Sequence, residues 1–354
     1  MRFAICLLAA LPLSAAWNYS VISGATNGAI ASRTLGGVES TYVAYRDASG
    51  SLGLARLIGN TIWPQTIWVG ANPSRTFINV SSTGTILVTF WSGGQFRFAV
   101  STGPGIGNCG PGNDWQCGDV LLPGSVTGTE VERVVGDVDS ISRAHFLYAL
   151  RPTNVTRVQP GLYYVSRSVY GFWSQPVRAY GSNAWSPTGF TVSSSATTFG
   201  TFTAHQSSGG AVTGTVLGGG VTNVLNLPNS NSATYAAMDP HEVNPSSYCT
   251  AGPSVQLLRR MQNGAWGAVY PISAAPAATC AVVVRPSSGT PIVAYPNPQG
   301  SIEIAWKLSW SGALTSETVD ASAVFSTPQV VHNDASKLYV LYDGNGFLKL
   351  AREQ

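Results

Sequence analysis

The feature that most constrains this chain is a weak repeat of about 50 residues that runs through nearly all of it. Each unit has an apolar–x–apolar–aromatic run, a polar turn with glycine and a second alternating run. The clearest copies lie near the two ends, at residues 42–45 with 52–56 and at residues 339–342 with 348–352. Self-similarity at this period is typical of propellers and other repeat architectures.

Seven copies of the unit align along the chain. The aligned positions are Tyr45, Phe90, Tyr148, His205, Met238, Tyr295 and Tyr342. Each copy alternates with period 2, which indicates strands with two distinct faces. Four short strands in each of seven units predict an all-β fold, a seven-bladed β-propeller formed by residues 17–354 as a single domain. A six-bladed ring and a pair of β-sandwiches are the alternatives.

The two ends of the mature chain are expected to share one sheet. The last unit stops after its third strand at Gln354, and residues 17–22 have the pattern of a strand with no partner before it. We predict that this N-terminal strand pairs within the last blade and closes the ring. Closure of this kind removes an exposed sheet edge.

The first 16 residues have the pattern of a secretory signal peptide. A positively charged start precedes an apolar stretch at residues 3–12, which is too short to span a membrane. Residues 14–16 fit the small-residue cleavage rule, so removal of residues 1–16 is predicted. The mature protein is therefore expected outside the cell or in the lumen of the secretory pathway, with no membrane anchor.

Sequons and cysteines agree with secretion. Glycosylation sequons begin at Asn18, Asn79 and Asn154. Beyond the signal peptide lie four cysteines, and an even number in an oxidising compartment indicates disulfides: Cys109, Cys117, Cys249 and Cys280. Among three connectivities, local closure favours the pairs 109–117 and 249–280, each within one long loop. No metal site is predicted, because CxxC and HxH spacings are missing.

Charge is scarce in this chain, at 10% of residues with a net charge of +3. Disordered chains are charge-rich and poor in aromatic and β-branched residues, so disorder is excluded. No basic run offers a surface for nucleic acid. Motifs of nucleotide, serine-hydrolase and zinc-protease sites are missing, and no cofactor is predicted. We expect a monomer with a small-molecule or glycan ligand.

Polar residues differ from unit to unit at the turns that follow the aligned positions. This favours one asymmetric central site over several equivalent sugar sites. A histidine with neighbouring carboxylates can act as general acid or base near neutral pH, so Asp239, His241 and Glu242 are the candidate catalytic residues. We place them on a long loop between the second and third strands of their unit; a solvated polar loop is the alternative. The candidate substrate contacts are Tyr248, Arg46, Trp91 and Arg151.

Other titratable residues are given structural interpretations. His145, His205 and His332 lie within or beside strand patterns and are expected to be structural. Asp137 and Asp139 share a strand face, which is the geometry that a glycosidase pair would require. A charged turn is the favoured interpretation of that pair.

The signal peptide, size, repeat and sequons together resemble two groups of secreted propellers. One group is the fungal propeller proteins of tropolone–sesquiterpenoid pathways, which act as hetero-Diels–Alderases. The other is the propeller lectins and polysaccharide-active enzymes. The resemblance covers residues 17–354 as architecture and carries no catalytic residue over. It implies a cofactor-free enzyme that joins small apolar molecules in a central pocket, or else a carbohydrate-binding protein, lyase or glycosidase. The unequal blades favour the enzyme.

Overall fold

The computed structural model describes most of the chain after residue 16. The described residues are 17–35, 38–58, 61–124, 126–151, 158–181, 185–192, 199–206, 208–217, 220–242, 245–307, 310, 312–322, 327–332, 337–344 and 347–354. They form 28 β-strands and one 3-10 turn, Gly128–Glu130. The predicted signal peptide lies outside the described residues and stays a prediction.

Seven four-stranded antiparallel sheets account for all of these strands. Blade 1 contains β2 (Thr26–Leu35), β3 (Val38–Arg46), β4 (Leu52–Ile58) and β5 (Thr61–Trp68). Blade 2 contains β6 (Ser74–Val80), β7 (Ile86–Ser92), β8 (Gln95–Ser101) and β9 (Trp115–Asp119). Blade 3 contains β10 (Val131–Val138), β11 (Ala144–Leu150), β12 (Gly161–Arg167) and β13 (Val177–Tyr180). Blade 4 contains β14 (Trp185–Val192), β15 (Phe199–Gln206), β16 (Ala211–Leu217) and β17 (Gly220–Asn226).

The other three blades follow the same order. Blade 5 contains β18 (Tyr235–Met238), β19 (Ser246–Ala251), β20 (Val255–Arg260) and β21 (Tyr270–Ser273). Blade 6 contains β22 (Ala281–Val284), β23 (Pro291–Pro296), β24 (Ile302–Lys307) and β25 (Leu314–Asp320). Blade 7 contains β26 (Gln329–His332), β27 (Leu338–Gly344), β28 (Phe347–Glu353) and β1 (Trp17–Ile22).

The first strand of each blade lies at the centre of the molecule. These inner strands contact one another in chain order, and β26 contacts β2 to complete a ring. One face of the ring carries the connections between blades and the turns between second and third strands, and we call it the upper face. The lower face carries the turns between first and second strands and between third and fourth strands. The seven-bladed propeller is therefore confirmed, and the six-bladed and β-sandwich alternatives are excluded.

The N-terminal strand closes the ring as the sequence predicts. β1 pairs antiparallel with β28 along six residues, from Trp17 opposite Glu353 to Ile22 opposite Leu348. The Tyr19 hydroxyl also donates to the backbone carbonyl of Val319 in blade 6, at 2.5 Å. β1 therefore joins the last strand of the chain and the neighbouring blade.

The repeated aromatic residue of the sequence units fills the space between blades. Phe90, Tyr148 and Tyr342 are at most 1% exposed, and each sits on the second strand of its blade. Phe90 packs with residues of blade 1 such as Ala44 and Leu54 in one apolar cluster. Burial of such side chains contributes about 1.5–3 kcal/mol each, which explains why the aromatic position recurs while the turn residues vary.

Blade 5 departs from the predicted alignment. Met238 belongs to the inner strand β18, and the second strand of this blade is β19. The error arose because Tyr235–Met238 has the same apolar character as a second strand. As a result, the described residues 239–242 and 245 lie on the lower face between the first and second strands, and not on a loop between the second and third strands.

Both predicted disulfides are present. Cys109–Cys117 closes the loop between β8 and β9. The sequence predicted that Cys249–Cys280 closes a single loop. Instead, this disulfide joins β19 to the segment before β22 and so connects blade 5 to blade 6. No helix of the described residues is long and apolar enough to cross a membrane. The two disulfides are compatible with a secreted or lumenal protein.

The three sequons differ in accessibility. Asn18 is exposed on β1, and Asn154 lies outside the described residues. Asn79 is only 7% exposed, and its Nδ2 donates to the carbonyl of Phe190 on β14 at 3.1 Å. The prediction of a glycan on Asn79 is therefore incompatible with this fold, because its amide nitrogen is buried and already engaged.

Candidate functional site

A narrow cavity lies on the axis of the ring, and residues of all seven inner strands line it. Its volume is about 100 Å³, whereas pockets for small organic ligands usually measure about 300–1,000 Å³. The predicted central pocket therefore exists, but the axial cavity alone holds only a few water molecules or the tip of a ligand.

Four inner strands bulge near the upper end of this cavity. Their register against the second strand shifts at residues 26–29, 74–77, 131–134 and 187–189. Bulges redirect a side chain out of the regular alternation and are common beside functional sites. Here the bulges bring Thr76, Arg133 and Thr188 to the cavity wall.

Two of these three polar side chains have an atom without a protein partner. Thr188 Oγ1 donates to the carbonyl of Ala236. Thr76 is 6% exposed, and neither its Oγ1 nor the buried Nε of Arg133 has a hydrogen-bond partner among the described residues. A buried polar atom left unpaired costs about 1–3 kcal/mol, so native proteins keep few of them. These two donors are therefore candidates for ligand contacts.

His205 adds a neutral ring beside the same wall. Its ring centroid lies 4.9 Å from that of Tyr235, which lines the cavity. Burial, followed by the charge of Arg133, lowers the pKa of His205 to about 4. The imidazole is therefore neutral at neutral pH, and Arg133 supplies the positive charge at this position.

A larger cleft lies on the upper face of blades 5 and 6, next to the axial cavity. It measures about 610 Å³ and shares Thr327 with the axial cavity. Four prolines supply much of its wall: Pro253, Pro276, Pro296 and Pro298. Thr279 lines it as well, and its buried Oγ1 has no hydrogen-bond partner. We call the axial cavity and this cleft together the upper site.

The inter-blade disulfide holds one wall of the upper site. Cys280 lines the axial cavity and its neighbour Thr279 lines the cleft. The backbone amide of Ala277 donates to the carbonyl of Gly252 at 3.0 Å, which joins the two rims of the cleft. The cleft is thus preformed by covalent and backbone contacts between blades 5 and 6.

The predicted catalytic segment, residues 239–242, lies at the lower end of the axial cavity. His241 lies 3.2 Å (Nδ1) from Asp239 Oδ1, and its Nε2 lies 3.0 Å from the carbonyl oxygen of Ser32 in blade 1. The His241 ring also packs against His332 of blade 7, with centroids 4.4 Å apart. Blades 5, 7 and 1 therefore meet here. We call Asp239, His241 and His332 the lower plug.

Asp239 has the contacts of an inter-blade clamp. It is fully buried, and its Oδ2 accepts a hydrogen bond from the Val284 amide of blade 6 at 2.7 Å. Asp137 does the same between blades 3 and 4, because its Oδ2 accepts from the Val192 amide at 2.7 Å. Burial raises the pKa of Asp137 to about 7. The repetition of this contact indicates that both carboxylates join neighbouring inner strands.

Asp139 takes no part in a carboxylate pair with Asp137. Its Oδ2 lies 2.7 Å from Nε of Arg143 and 3.2 Å from Nε2 of His145. The other ring nitrogen of His145 lies 2.6 Å from the Tyr164 hydroxyl. This buried network belongs to the turn between β10 and β11, in line with the structural interpretation of the sequence.

Glu242 lies on the lower face beside the plug. Burial and, after it, the charge of Asp239 together raise the pKa of Glu242 to about 7. The Ser247 hydroxyl donates to Glu242 at 2.6 Å, and Arg259 lies 3.8 Å away. Glu242 can therefore gain or lose its proton near neutral pH. However, Pro240 is the one residue of the 239–242 segment that lines the axial cavity.

Two predicted substrate contacts, Trp91 and Arg151, lie on the upper face in neighbouring blades. Arg75 places its guanidinium 5.9 Å from the Trp91 ring centroid and donates to the Glu132 carbonyl at 2.8 Å. Arg151 Nε lies 3.7 Å from the Glu132 carboxylate. Trp91 and Arg151 therefore flank the boundary of blades 2 and 3, whereas Arg46 ends β3 in blade 1. None of these residues lines the upper site.

Tyr248 lies in the core, so its predicted role as a substrate contact is not supported. It is fully buried on β19, and its hydroxyl lies 2.9 Å from the hydroxyls of Thr213 and Ser246. The upper site instead uses Thr76 and Arg133, which the sequence analysis did not select. The one signal for them is a break in alternation, where two polar residues adjoin at residues 75–76 and 132–133.

Comparison with known proteins gives the fold and no family. No known protein-family profile matches the chain, and no curated protein sequence matches it. Solved propellers do match. AofleA from Arthrobotrys oligospora superposes with a TM-score of 0.50 at 11% identity over 87% of this chain and 94% of that chain. A variant of AofleA with three arginines replaced by alanine gives 0.51 with the same identity and coverage.

Two further structures show the same architecture. BBS1N, in complex with ARL6DN, has a TM-score of 0.58 at 9% identity over 95% of this chain and 96% of that chain. A variant of the α-L-arabinofuranosidase Arb93A from Fusarium graminearum, bound to an iminosugar inhibitor, has 0.50 at 12% identity over 93% of each chain. At these identities the similarity shows the fold alone. The class that the fold defines is a seven-bladed propeller, here with a cleft on its upper face.

Proposed function

We propose that the upper site binds small, largely apolar molecules that carry an acceptor oxygen, and that it promotes their cycloaddition without a cofactor. The observation that carries this proposal is the pair of donors without a partner among the described residues, Thr76 Oγ1 and Arg133 Nε, in the wall of the axial cavity, which adjoins a proline-lined cleft. An apolar wall with a few convergent donors is the usual composition of a small-molecule site.

Size supports the cleft as the place where two partners meet. The cleft of about 610 Å³ is within the range of ligand pockets, and the axial cavity of about 100 Å³ is below it. A polar oxygen would enter the axial cavity toward Thr76 and Arg133, while the apolar partners would occupy the cleft. When the site holds the two partners in a near-attack arrangement, the entropy cost of bringing them together falls on binding and not on the reaction step.

The chemistry of a hetero-Diels–Alder addition fits these donors. A diene that ends in a carbonyl oxygen adds to an alkene: three π bonds become one C–C σ bond, one C–O σ bond and one π bond. No atom leaves, and neither a nucleophile nor a redox partner takes part. Hydrogen bonds from Arg133 and Thr76 to the carbonyl oxygen favour the electron-poor diene, because they stabilise charge that develops on that oxygen.

The test is the stereochemistry of a model reaction. An ortho-quinone methide, generated in situ from a stable precursor, is allowed to add to an apolar cyclic alkene with and without the protein. The uncatalysed product is racemic, and we expect an enantiomeric excess with the protein. Arg133→Met and Thr76→Val should remove most of that excess, whereas Arg178→Met, on the outer strand of blade 3, should retain it.

Two results would contradict the proposal. One is a racemic product at saturating protein in the presence of both reactants. The other is an excess that persists unchanged in both Arg133→Met and Thr76→Val, because the donors would then have no part in the reaction. Circular dichroism of each variant ensures that a loss of excess is not a loss of fold.

A further inference from the structure

A second cleft lies on the lower face between blades 2 and 3, far from the upper site in the fold. It measures about 420 Å³ and is formed by four turns of these two blades. Six hydroxyl side chains line it: Thr83, Thr85, Ser101, Thr102, Ser142 and Ser168. We call it the lower cleft. Its dense hydroxyls provide both donors and acceptors, which suits a ligand that carries hydroxyls of its own.

Arg167 places a cation in the wall of the lower cleft. Its guanidinium lies 5.2 Å from the ring centroid of Phe98 and 6.0 Å from that of Trp173. None of the ion pairs between described residues includes Arg167. Burial lowers the pKa of Arg167, with no acidic residue acting against it. The cation therefore packs on aromatic rings, and no carboxylate in the described part of the chain pairs with it.

Exposed apolar side chains surround the same cleft. Ile106 and Val169 line it and are 72% and 60% exposed. Tyr170 and Phe172, in the turn that follows Arg167, are 85% and 76% exposed. Large apolar side chains grouped in this way on a soluble protein mark a binding surface. Exposed aromatic rings can stack on the apolar face of a sugar ring.

Blade 5 contains the same turn without these features. Arg260 and Trp266 form an isolated bridge, as Arg167 and Trp173 do in blade 3. Gly171 and Gly264 both have a positive φ, of 89° and 82°, at the same place in their turns. Blade 5 nevertheless has asparagine and alanine where blade 3 has Tyr170 and Phe172. The turn therefore does not require exposed aromatic residues, and another cause must account for them in blade 3.

We propose that the lower cleft binds an acidic sugar, whose carboxylate or sulfate pairs with Arg167 while its ring hydroxyls contact the serine and threonine hydroxyls. The guanidinium suits either anion, because its fork of donors matches two oxygens at once. Tyr170 or Phe172 covers the apolar face of the sugar ring. This site is independent of the upper site and of the cycloaddition.

The experiment uses three matched probes on the intact mature protein. Glucuronic acid and glucose 6-sulfate carry the two anions, and glucose is the neutral counterpart. Calorimetric titration at millimolar concentration should show binding of at least one anionic sugar and no binding of glucose. Arg167→Met, which keeps the packing on Phe98, should weaken that binding about tenfold, the usual consequence of losing a charged hydrogen bond.

The matched control is Arg260→Met, in the equivalent turn of blade 5, and it should leave binding unchanged. Tyr170→Ala and Phe172→Ala test the aromatic contact, and at least one of them should weaken binding while the melting temperature stays the same. Four outcomes would overturn the proposal: no binding of either acidic sugar, equal binding of glucose, equal binding by Arg167→Met, or full competition by inorganic sulfate at the same concentration. Binding of anionic lipid vesicles in place of the sugars would also overturn it.

Discussion

Replacing Thr76 by valine should stabilise the free protein and weaken its ligand binding. Valine keeps the shape of the side chain but removes Oγ1, which is buried without a protein partner. An unpaired buried polar group costs about 1–3 kcal/mol. We therefore expect the free energy of unfolding to rise by about 1 kcal/mol, the lower end of that range.

The matched control is Thr213→Val. Thr213 is fully buried, and its Oγ1 donates to the Phe202 carbonyl at 2.8 Å and lies 2.9 Å from the Tyr248 hydroxyl. Removing this partnered hydroxyl should lower the free energy of unfolding by about 1–3 kcal/mol. Urea unfolding followed by tryptophan fluorescence measures both changes. If Thr76→Val destabilises the protein as much as Thr213→Val, then the Thr76 hydroxyl is engaged within the protein and the reasoning fails.

Three other changes should have defined effects. Deleting residues 17–22 removes the strand that closes blade 7, so the protein should elute as aggregates or melt at a much lower temperature. The fold raises the pKa of Glu242 from 4.5 to about 7. Protonation of Glu242 therefore contributes its full stability below pH 4.5, and this contribution is lost as the pH rises through 7. Glu242→Gln should flatten this part of the curve of unfolding free energy against pH. Replacing Cys249 and Cys280 by serine should lower the free energy of unfolding by about 3 kcal/mol, measured by urea unfolding, because their bond joins blades 5 and 6.

The sequence contained enough information for the ring and its closure. Period-2 alternation and a buried aromatic in most units identify second strands, and residues 17–22 lack a partner other than β28. The alignment failed in blade 5, where the inner strand has four residues, Tyr235–Met238, and resembles a second strand. One shifted strand moved the predicted catalytic loop from the lower face to the upper face.

The candidate site was harder to predict for a physical reason. The sequence analysis selected clusters of charge, and Asp239 and His241 are indeed clustered, but their buried contacts join blades. Thr76 and Arg133 belong to different blades and have no neighbouring motif. Adjoining polar residues at 75–76 and 132–133 mark a break in alternation, but the lack of a partner for each buried atom is a property of the packed ring.

The most direct test of the upper site is a titration with prodan, a neutral naphthyl ketone whose emission responds both to an apolar environment and to a hydrogen bond on its carbonyl. We expect saturable binding to the wild-type protein. Thr76→Val and Arg133→Met should bind about tenfold more weakly, with bound emission at shorter wavelength, and Arg178→Met should match the wild type. No saturable binding, or identical affinity and emission in all four proteins, would contradict the assignment of Thr76 and Arg133 as the donors of a small-molecule site.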